Sequence, residues 1–294
     1  MTWRCTGLRW TGDGPAIGWY GPLGQETASR LTYGAPLLFT VDGGERRCLG
    51  VRRAGKRTPC PTACTVPGRA GSAQCPECAR LDRSFSVAAD TNAGDPRPYR
   101  VYLAWFGPGT VKVGITAEER GSARLLEQGA VTWTWLGRGP LMAARRTEEL
   151  LRAALGVPDR IAYARKRAVR AQLPPGPERA REVAELHARA AALPGWPESL
   201  ERLACEVADH AAVFWPDGLP DPARVVTELV PGGTVAGRLA AAAGPDLHFA
   251  DGLVLDTRLL AGWGLGVAAA AAVTDVPMAG TGPGLPPVEQ GGLF

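Results

Sequence analysis

Five of the seven cysteines, Cys48, Cys60, Cys64, Cys75 and Cys78, crowd into one short basic segment, and Cys75-Pro-Glu-Cys78 is a CxxC knuckle. In a chain with no sign of export, cysteines paired at short spacing act as metal ligands more often than as disulfides. A CxxC turn presents two thiolates from neighbouring positions, and tetrahedral zinc accepts four. Spacing alone accepts Cys60, Cys64, Cys75 and Cys78, with Cys48 a little upstream as a fifth candidate. No general base and no open ligand position accompany them. Zinc here reads as structural, a staple for a segment too polar and too broken by Pro and Gly to build its own core.

A second constellation lies further along. The strand-like segments RVYLAWF and TVKVGIT flank the turn GPG. Pairing them with Phe106 opposite Thr110 places Tyr102, Lys112 and Gly114 on one face, with Gly114 opposite Tyr102. A phenol, an ammonium and a gap without a side chain make a floor for a phosphate, while Val101, Leu103, Trp105, Val111, Val113 and Ile115 form the core face. A helix over about 141–155 follows, with Pro140 at its first turn and Gly156 just past its end. Stepping 100° per residue sets Glu148 in the apolar stripe Leu141, Ala144, Leu151 and Leu155, whereas Glu149 points away toward Arg145 and Arg152. An acid on an apolar stripe is either paired, here by Arg145 or Arg152, or bound to a metal.

Taken in order, Tyr102 in VYLA, Lys112-Val113-Gly114-Ile115-Thr116, Arg124 and Glu148 resemble the motifs of the GIY-YIG nuclease superfamily. The whole chain, with cysteines ahead of VYLA, then KVGIT and then LLEQGA (Leu125 to Ala130), further resembles the bacterial family known as domain of unknown function 2797. The family resemblance implies Cys48, Cys60, Cys75 and Cys78 as the zinc ligands, with Cys64 the alternate. The superfamily resemblance implies single-metal phosphodiester hydrolysis: Tyr102 helps activate water, Arg124 stabilises developing charge, and Glu148 holds Mg(II) or Mn(II). Gly114 and Thr116 would let the phosphate approach. Hard cations prefer carboxylate and phosphate oxygens, and a guanidinium fork suits a phosphoryl transition state. Two departures stand out: Arg100 occupies the position of the motif's first Gly, and Lys112 replaces its second Tyr. A lysine there could hold the scissile phosphate or ease deprotonation of Tyr102.

The elements that must position these residues give an α+β chain of 294 residues. Residues 1–45 read as short strands and turns, 46–94 as the zinc-binding segment, and 95–175 as a GIY-YIG-like α/β domain with a helical stretch from Ala117 to Gln128. Residues 176–222 read as a helical connector, with helices over 177–193 and 198–214. Residues 223–275 return to a β pattern, and 276–294 read as a disordered tail. The β segments at the two ends are each too small for a core and could pair into one small sheet or barrel.

Hydrophobic residues make up 45% and charged residues 21%, which excludes wholesale disorder. No apolar stretch reaches the roughly 20 residues that span a bilayer. Without a secretory h-region at the N-terminus, the expected address is the cytoplasm, with no membrane partner. The net charge is +4, with residues before 186 net positive and those from 186 onward net negative. This asymmetry points to an anionic partner, DNA or RNA. Three functions therefore compete. One is a metal-dependent nuclease. Another is a zinc-containing nucleic-acid-binding module without catalysis, its phosphates tracked by the basic runs Arg46 to Arg57 and Arg160 to Arg170. The third is a protein-binding scaffold with a degenerate nuclease site.

Overall fold

Short apolar runs between Gly- and Pro-containing turns make strands over the first 41 residues: β1 (Arg4–Thr11), β2 (Gly14–Tyr20), β3 (Glu26–Arg30) and β4 (Pro36–Val41). The cysteine segment contributes the small strands β5 (Val51–Arg53) and β6 (Lys56–Thr58) and helix α1 (Pro76–Ser84). Then come β7 (Pro98–Gly107), β8 (Thr110–Ala117), α2 (Ala123–Gln128), β9 (Thr132–Pro140), α3 (Leu141–Leu155), α4 (Tyr163–Arg170) and α5 (Gly176–Ala191). Further on lie β10 (Glu201–Arg202), β11 (Ala208–Asp209), α6 (Ala211–Phe214), β12 (Arg224–Val226) and β13 (Thr234–Ala243). The last strands are β14 (Asp246–Phe249), β15 (Leu253–Asp256), β16 (Leu265–Val267) and β17 (Met278–Gly280). These come from a computed structural model that describes residues 2–53, 55–84 and 94–281. The chain divides into two units, residues 1–85 with 215–294, and residues 86–214.

In the first unit the two ends of the chain do pair. A seven-stranded sheet runs β16-β4-β13-β14-β15-β12-β17, in which β4 lies antiparallel to both β13 and β16. Phe39 and Val41 from the first part of the chain share one core with Val235, Leu239, Phe249, Leu255 and Trp263 from the last. Cys5 and Ile17 of the three-stranded β1-β2-β3 sheet close over the same core. Residues 276–281 are not the start of a loose tail: Val276 is buried and β17 pairs with β12. The rest of the expected tail, 282–294, lies outside the described residues.

The cysteine segment is tied to this unit by Arg46, which is 1% exposed. Its guanidinium donates to the carbonyls of Ala261 (2.8 Å), Pro67 (2.6 Å), Ala70 (2.7 Å) and Arg258 (2.9 Å). Burial lowers its pKa to about 10, so it stays charged at neutral pH.

The second unit is built on the sheet β10-β9-β7-β8, with β11 also on the outer edge of β9. The central strand β7 is buried on both faces. Val101 and Leu103 pack with α3 residues Leu141, Ala144 and Leu151 and with Ala190 of α5, while Tyr102, Ala104 and Phe106 pack with Leu125 and Trp133. Helix α3 spans the expected residues and ends at Gly156 with φ 66°, the left-handed cap.

Three expectations change here. The stretch 117–128 is not one helix, because Gly121 at φ 48° separates a 3₁₀ turn at Glu118–Arg120 from the short α2. Residues 198–214 are mostly extended rather than helical. Leu203 N–H bonds Leu136 O at 3.0 Å and His210 N–H bonds Val131 O at 2.7 Å, so the segment covers an edge of β9 that would otherwise be unpaired. Residues 176–214 of the expected connector are therefore part of the second unit, with Val183, His187 and Ala190 of α5 buried, while 215–222 belong to the first.

The pairing of β4 with β13 and β16 carries a testable consequence. A fragment of residues 1–160 lacks both neighbours of β4, so the amides of Phe39 and Val41 should exchange at unprotected rates. In the full chain they should be protected. Protection in the fragment would show that the N-terminal strands fold without the C-terminal ones.

Candidate metal centre and candidate active site

Four of the cysteines converge. The Sγ atoms of Cys48, Cys60, Cys75 and Cys78 all lie within 4.8 Å of one another, and all four residues are buried. Tetrahedral zinc with Zn–S bonds near 2.3 Å requires sulfurs about 3.8 Å apart, and Cys60 and Cys75 already stand at 3.9 Å. Cys64 is only half-buried, with its sulfur 2.9 Å from the Thr62 hydroxyl. The set implied by the resemblance is thus the set that the fold gathers, and the set from spacing alone, which includes Cys64, is not.

Local backbone explains the gathering. Gly50, at φ 74°, turns the chain after Cys48 where a Cβ would meet Thr58 O at 2.0 Å. The amides of Gly50 and Cys75 then point at Cys48 Sγ, at 3.4 and 3.2 Å. The thiols are electrostatically divided. Burial raises the pKa values of Cys48 and Cys78. The Cys78 amide lowers that of Cys75. Burial opposes ionisation of Cys60, yet the Thr62 hydroxyl and nearby amides bring it to about 6. A divalent cation removes that division by stabilising all four thiolates at once. The four cysteines can therefore hold a metal such as zinc.

The second site grows from the β7–β8 hairpin. Tyr102 stands opposite Gly114 and Ala104 opposite Lys112, the expected register, although a bulge at Phe106 shifts the turn so that Gly107 rather than Phe106 faces Thr110. A Cβ on Gly114 would come within 2.4 Å of the Tyr102 ring and hydroxyl, so the glycine is the gap in which the phenol lies. Tyr102 is 1% and Lys112 8% exposed. Lys112 Nζ donates to Asp159 O at 2.8 Å and sits 5.7 Å from the centre of the Tyr102 ring.

Burial raises the Tyr102 pKa, opposed by Arg124 and by the hydrogen bond from Gln128. Burial lowers Lys112 to about 8, with Arg124 pushing the same way and Glu148 against it. Burial also raises Glu148, against the charge of Lys112. Arg124 and Glu148 thus each act on both Tyr102 and Lys112. Glu148 makes no ion pair among the described residues, whereas Glu149 is held by Arg152 at 2.8 Å. The expected pairing of Glu148 with Arg145 or Arg152 is not formed. Thr116 is 3% exposed, and its hydroxyl has no partner among the described residues.

Sequence reasoning missed Gln128. It is 4% exposed, and its Nε2 donates to the Tyr102 hydroxyl at 3.0 Å. The signal was present in LLEQGA: Leu125 is core, Gly129 closes α2 at φ 71°, and the glutamine between them is turned inward. Part of each basic run is committed to structure, while Arg52, Arg53, Lys56, Arg160 and Arg165 are exposed. Arg46 is buried on backbone carbonyls, Arg57 pairs with Glu26 at 3.1 Å, and Lys166 and Arg170 are 3% and 2% exposed.

The family model described as protein of unknown function (DUF2797) matches residues 34–265. The chain belongs to this family. The match runs from before β4 to the start of β16, so it includes the four clustered cysteines, the β7–β8 hairpin, LLEQGA and Glu148. No curated protein and no solved structure matches the chain. Among the described residues of this DUF2797 member, no helix is long and apolar enough to cross a membrane.

Purified protein should carry about one zinc per chain, bound by four thiolates. Cys60→Ser or Cys78→Ser should lose it and Cys64→Ser should keep it, as read by metal analysis. Equal zinc in all three variants would remove these ligands. In the second unit, Gly114→Ala drives a methyl into the Tyr102 ring, and overpacking of this kind costs about 1–3 kcal/mol. The urea midpoint should fall accordingly; an unchanged midpoint would mean that the ring is free to move aside.

Proposed function

We propose that this DUF2797 protein acts on nucleic acid through a GIY-YIG-like site on its second unit, hydrolysing a phosphodiester with Tyr102, Lys112, Arg124 and Glu148. The observation that carries the reading is Glu148: a half-buried carboxylate without an ion pair, beside Lys112 and within electrostatic reach of Tyr102. An unpaired acid in such a place is explained by a cation that it is meant to hold. Mg(II) or Mn(II) on Glu148 would supply Lewis acidity at a phosphate oxygen.

The chain's own residues do the remainder. Arg124 is exposed on α2 and presents a fork to the phosphate. Tyr102, fixed over Gly114 and accepting from Gln128, keeps its hydroxyl proton free to orient a water. Lys112 places a positive charge at the floor of the site. The resemblance in order and spacing supports the same assignment. Zinc on the four cysteines is structural in this reading, because no base or open ligand position accompanies them.

The deep burial of Tyr102 and Lys112 favours a second reading, a nucleic-acid-binding module in which the site no longer cuts. The two part on one experiment. Plasmid, branched DNA and structured RNA are incubated with Mn(II) and either wild type or Glu148→Ala. Cleavage by wild type, reduced at least about 100-fold in the variant, is the expected outcome, since loss of a charge-stabilising group costs several kcal/mol at the transition state. Binding by both proteins without cleavage by either would transfer the case to the module reading.

A further inference from the structure

The departure from the motif at Arg100 has a structural partner. Arg100 lies on β7 two residues before Tyr102, and its guanidinium carbon sits 5.1 Å from the ring centre of Trp135 on β9. Trp135 is the cross-strand partner of Tyr102, with the two rings edge to face at 6.3 Å. The indole is also braced by Trp133 at 5.0 Å. Yet Trp135 is only half-buried, whereas Tyr102 and Trp133 are buried. Arg100 is itself held in place: its Nε and Nη2 donate to Glu118 at 3.1 and 2.8 Å, and Glu118 is shared with Arg138 at 2.8 Å. Arg138 also reaches Glu201 at 3.8 Å, so Arg100 and Arg138 belong to one ion-pair network beside the aromatic surface. Across the ladder from Arg100 lies Thr116, with its buried hydroxyl unpartnered.

A pre-ordered indole and guanidinium, adjacent to the phenol of the proposed site, have the chemistry that recognises an unpaired base. Nucleobases stack on aromatic rings and on guanidinium planes, and they do so only when unstacked from their own helix. A helix-buried base pair offers no such face. We propose that Arg100 and Trp135 form a stacking platform for one unpaired nucleobase next to the phosphate at Tyr102, so that the protein selects single-stranded or locally opened nucleic acid over intact duplex. This rests on the nucleic-acid reading above and specifies its substrate class.

The test is binding, without added divalent metal, of a 12-nucleotide single strand, the same strand with abasic sites, and its duplex, in DNA and RNA forms. Wild type should prefer the intact single strand. Trp135→Ala should weaken that binding roughly 10- to 100-fold, as base–aromatic stacking implies, and should leave duplex binding unchanged. Trp135→Phe should restore most of it, and the abasic strand should bind wild type no better than the intact strand binds Trp135→Ala. Unchanged thermal melting of Trp135→Phe separates stacking from a folding defect. Equal loss for strand and duplex, no loss at all, or no binding of any nucleic acid would overturn the platform. Cleavage that depends on Glu148 but not on Trp135 would sink the platform alone. A Trp135-dependent preference for single strands without cleavage would leave it standing while removing the nuclease.

Discussion

One buried guanidinium organises the first unit. Arg46 donates to carbonyls of the cysteine segment and to Ala261, 215 residues away in sequence, so the metal-binding loops and the C-terminal part of the sheet are fixed to the same side chain. A charged group in such a place is stable only when its donors are matched, and five N–H groups in a planar fork suit several carbonyls left without strand partners. The loops at 67–70 and 258–261 have carbonyls of that kind, since neither belongs to a ladder. Arg46 satisfies both sets at once. Beside it the backbone continues the tie, with Arg47 N–H on Gly262 O and Gly262 N–H on Cys5 O. The cysteine cluster and the arginine are therefore complementary devices. The one brings four thiols close enough to hold a metal such as zinc, and the other anchors that segment to the sheet.

The second unit depends on a different constraint, burial of β7 on both faces. A strand covered on one side only would leave the Tyr102 face open to water. Here α2 and the aromatic side chains of β9 cover it, and Tyr102 lies inside that cover. That cover accounts for the opposed pKa directions. Burial penalises the charged forms of Tyr102, Lys112 and Glu148 alike; the attraction between Lys112 and Glu148 and the influence of Arg124 on Tyr102 compensate only in part. Gly114 is the local requirement that makes the arrangement possible, because any side chain there would occupy the place of the phenol.

The parts of this that the sequence revealed were those set by local periodicity. The two-residue alternation gave the register of Tyr102 with Gly114, and the 3.6-residue stripe with its terminal glycine gave α3. What it obscured was set by distant partners. Segment 198–214 has helical composition, yet Leu200 is drawn into the core beside Leu136 and the flanking backbone is taken by the edge of β9. Met278 to Gly280 reads as tail because its strand character comes entirely from β12. The cysteines show the same limit. Spacing favoured Cys64 over Cys48, but Gly50 and the Cys75 amide turn Cys48 inward, and neither effect is visible in spacing. The basic runs show a related limit, since Arg46 is taken up by carbonyls and Arg57 by Glu26 in ways that spacing does not announce. Charge is evident in a sequence, whereas the carbonyls and carboxylates that consume it are not.

The two departures from the nuclease pattern gain meaning when taken together. A phenol at position 112 would be neutral and would need a hydrogen-bond acceptor, whereas the ammonium of Lys112 brings a charge that Asp159 O and nearby Glu148 help to stabilise. A glycine at position 100 would leave Trp135 uncapped beside Tyr102. Arg100 caps it and is in turn fixed by Glu118. Both changes add positive charge to the face that carries Tyr102, and both new side chains are held by partners rather than left mobile. On a face that had merely lost its chemistry, neither the charge nor its anchoring would be required. In the proposed reading, the charge of Lys112 acting on the unpaired Glu148 would serve to bind a polyanion together with a hard cation.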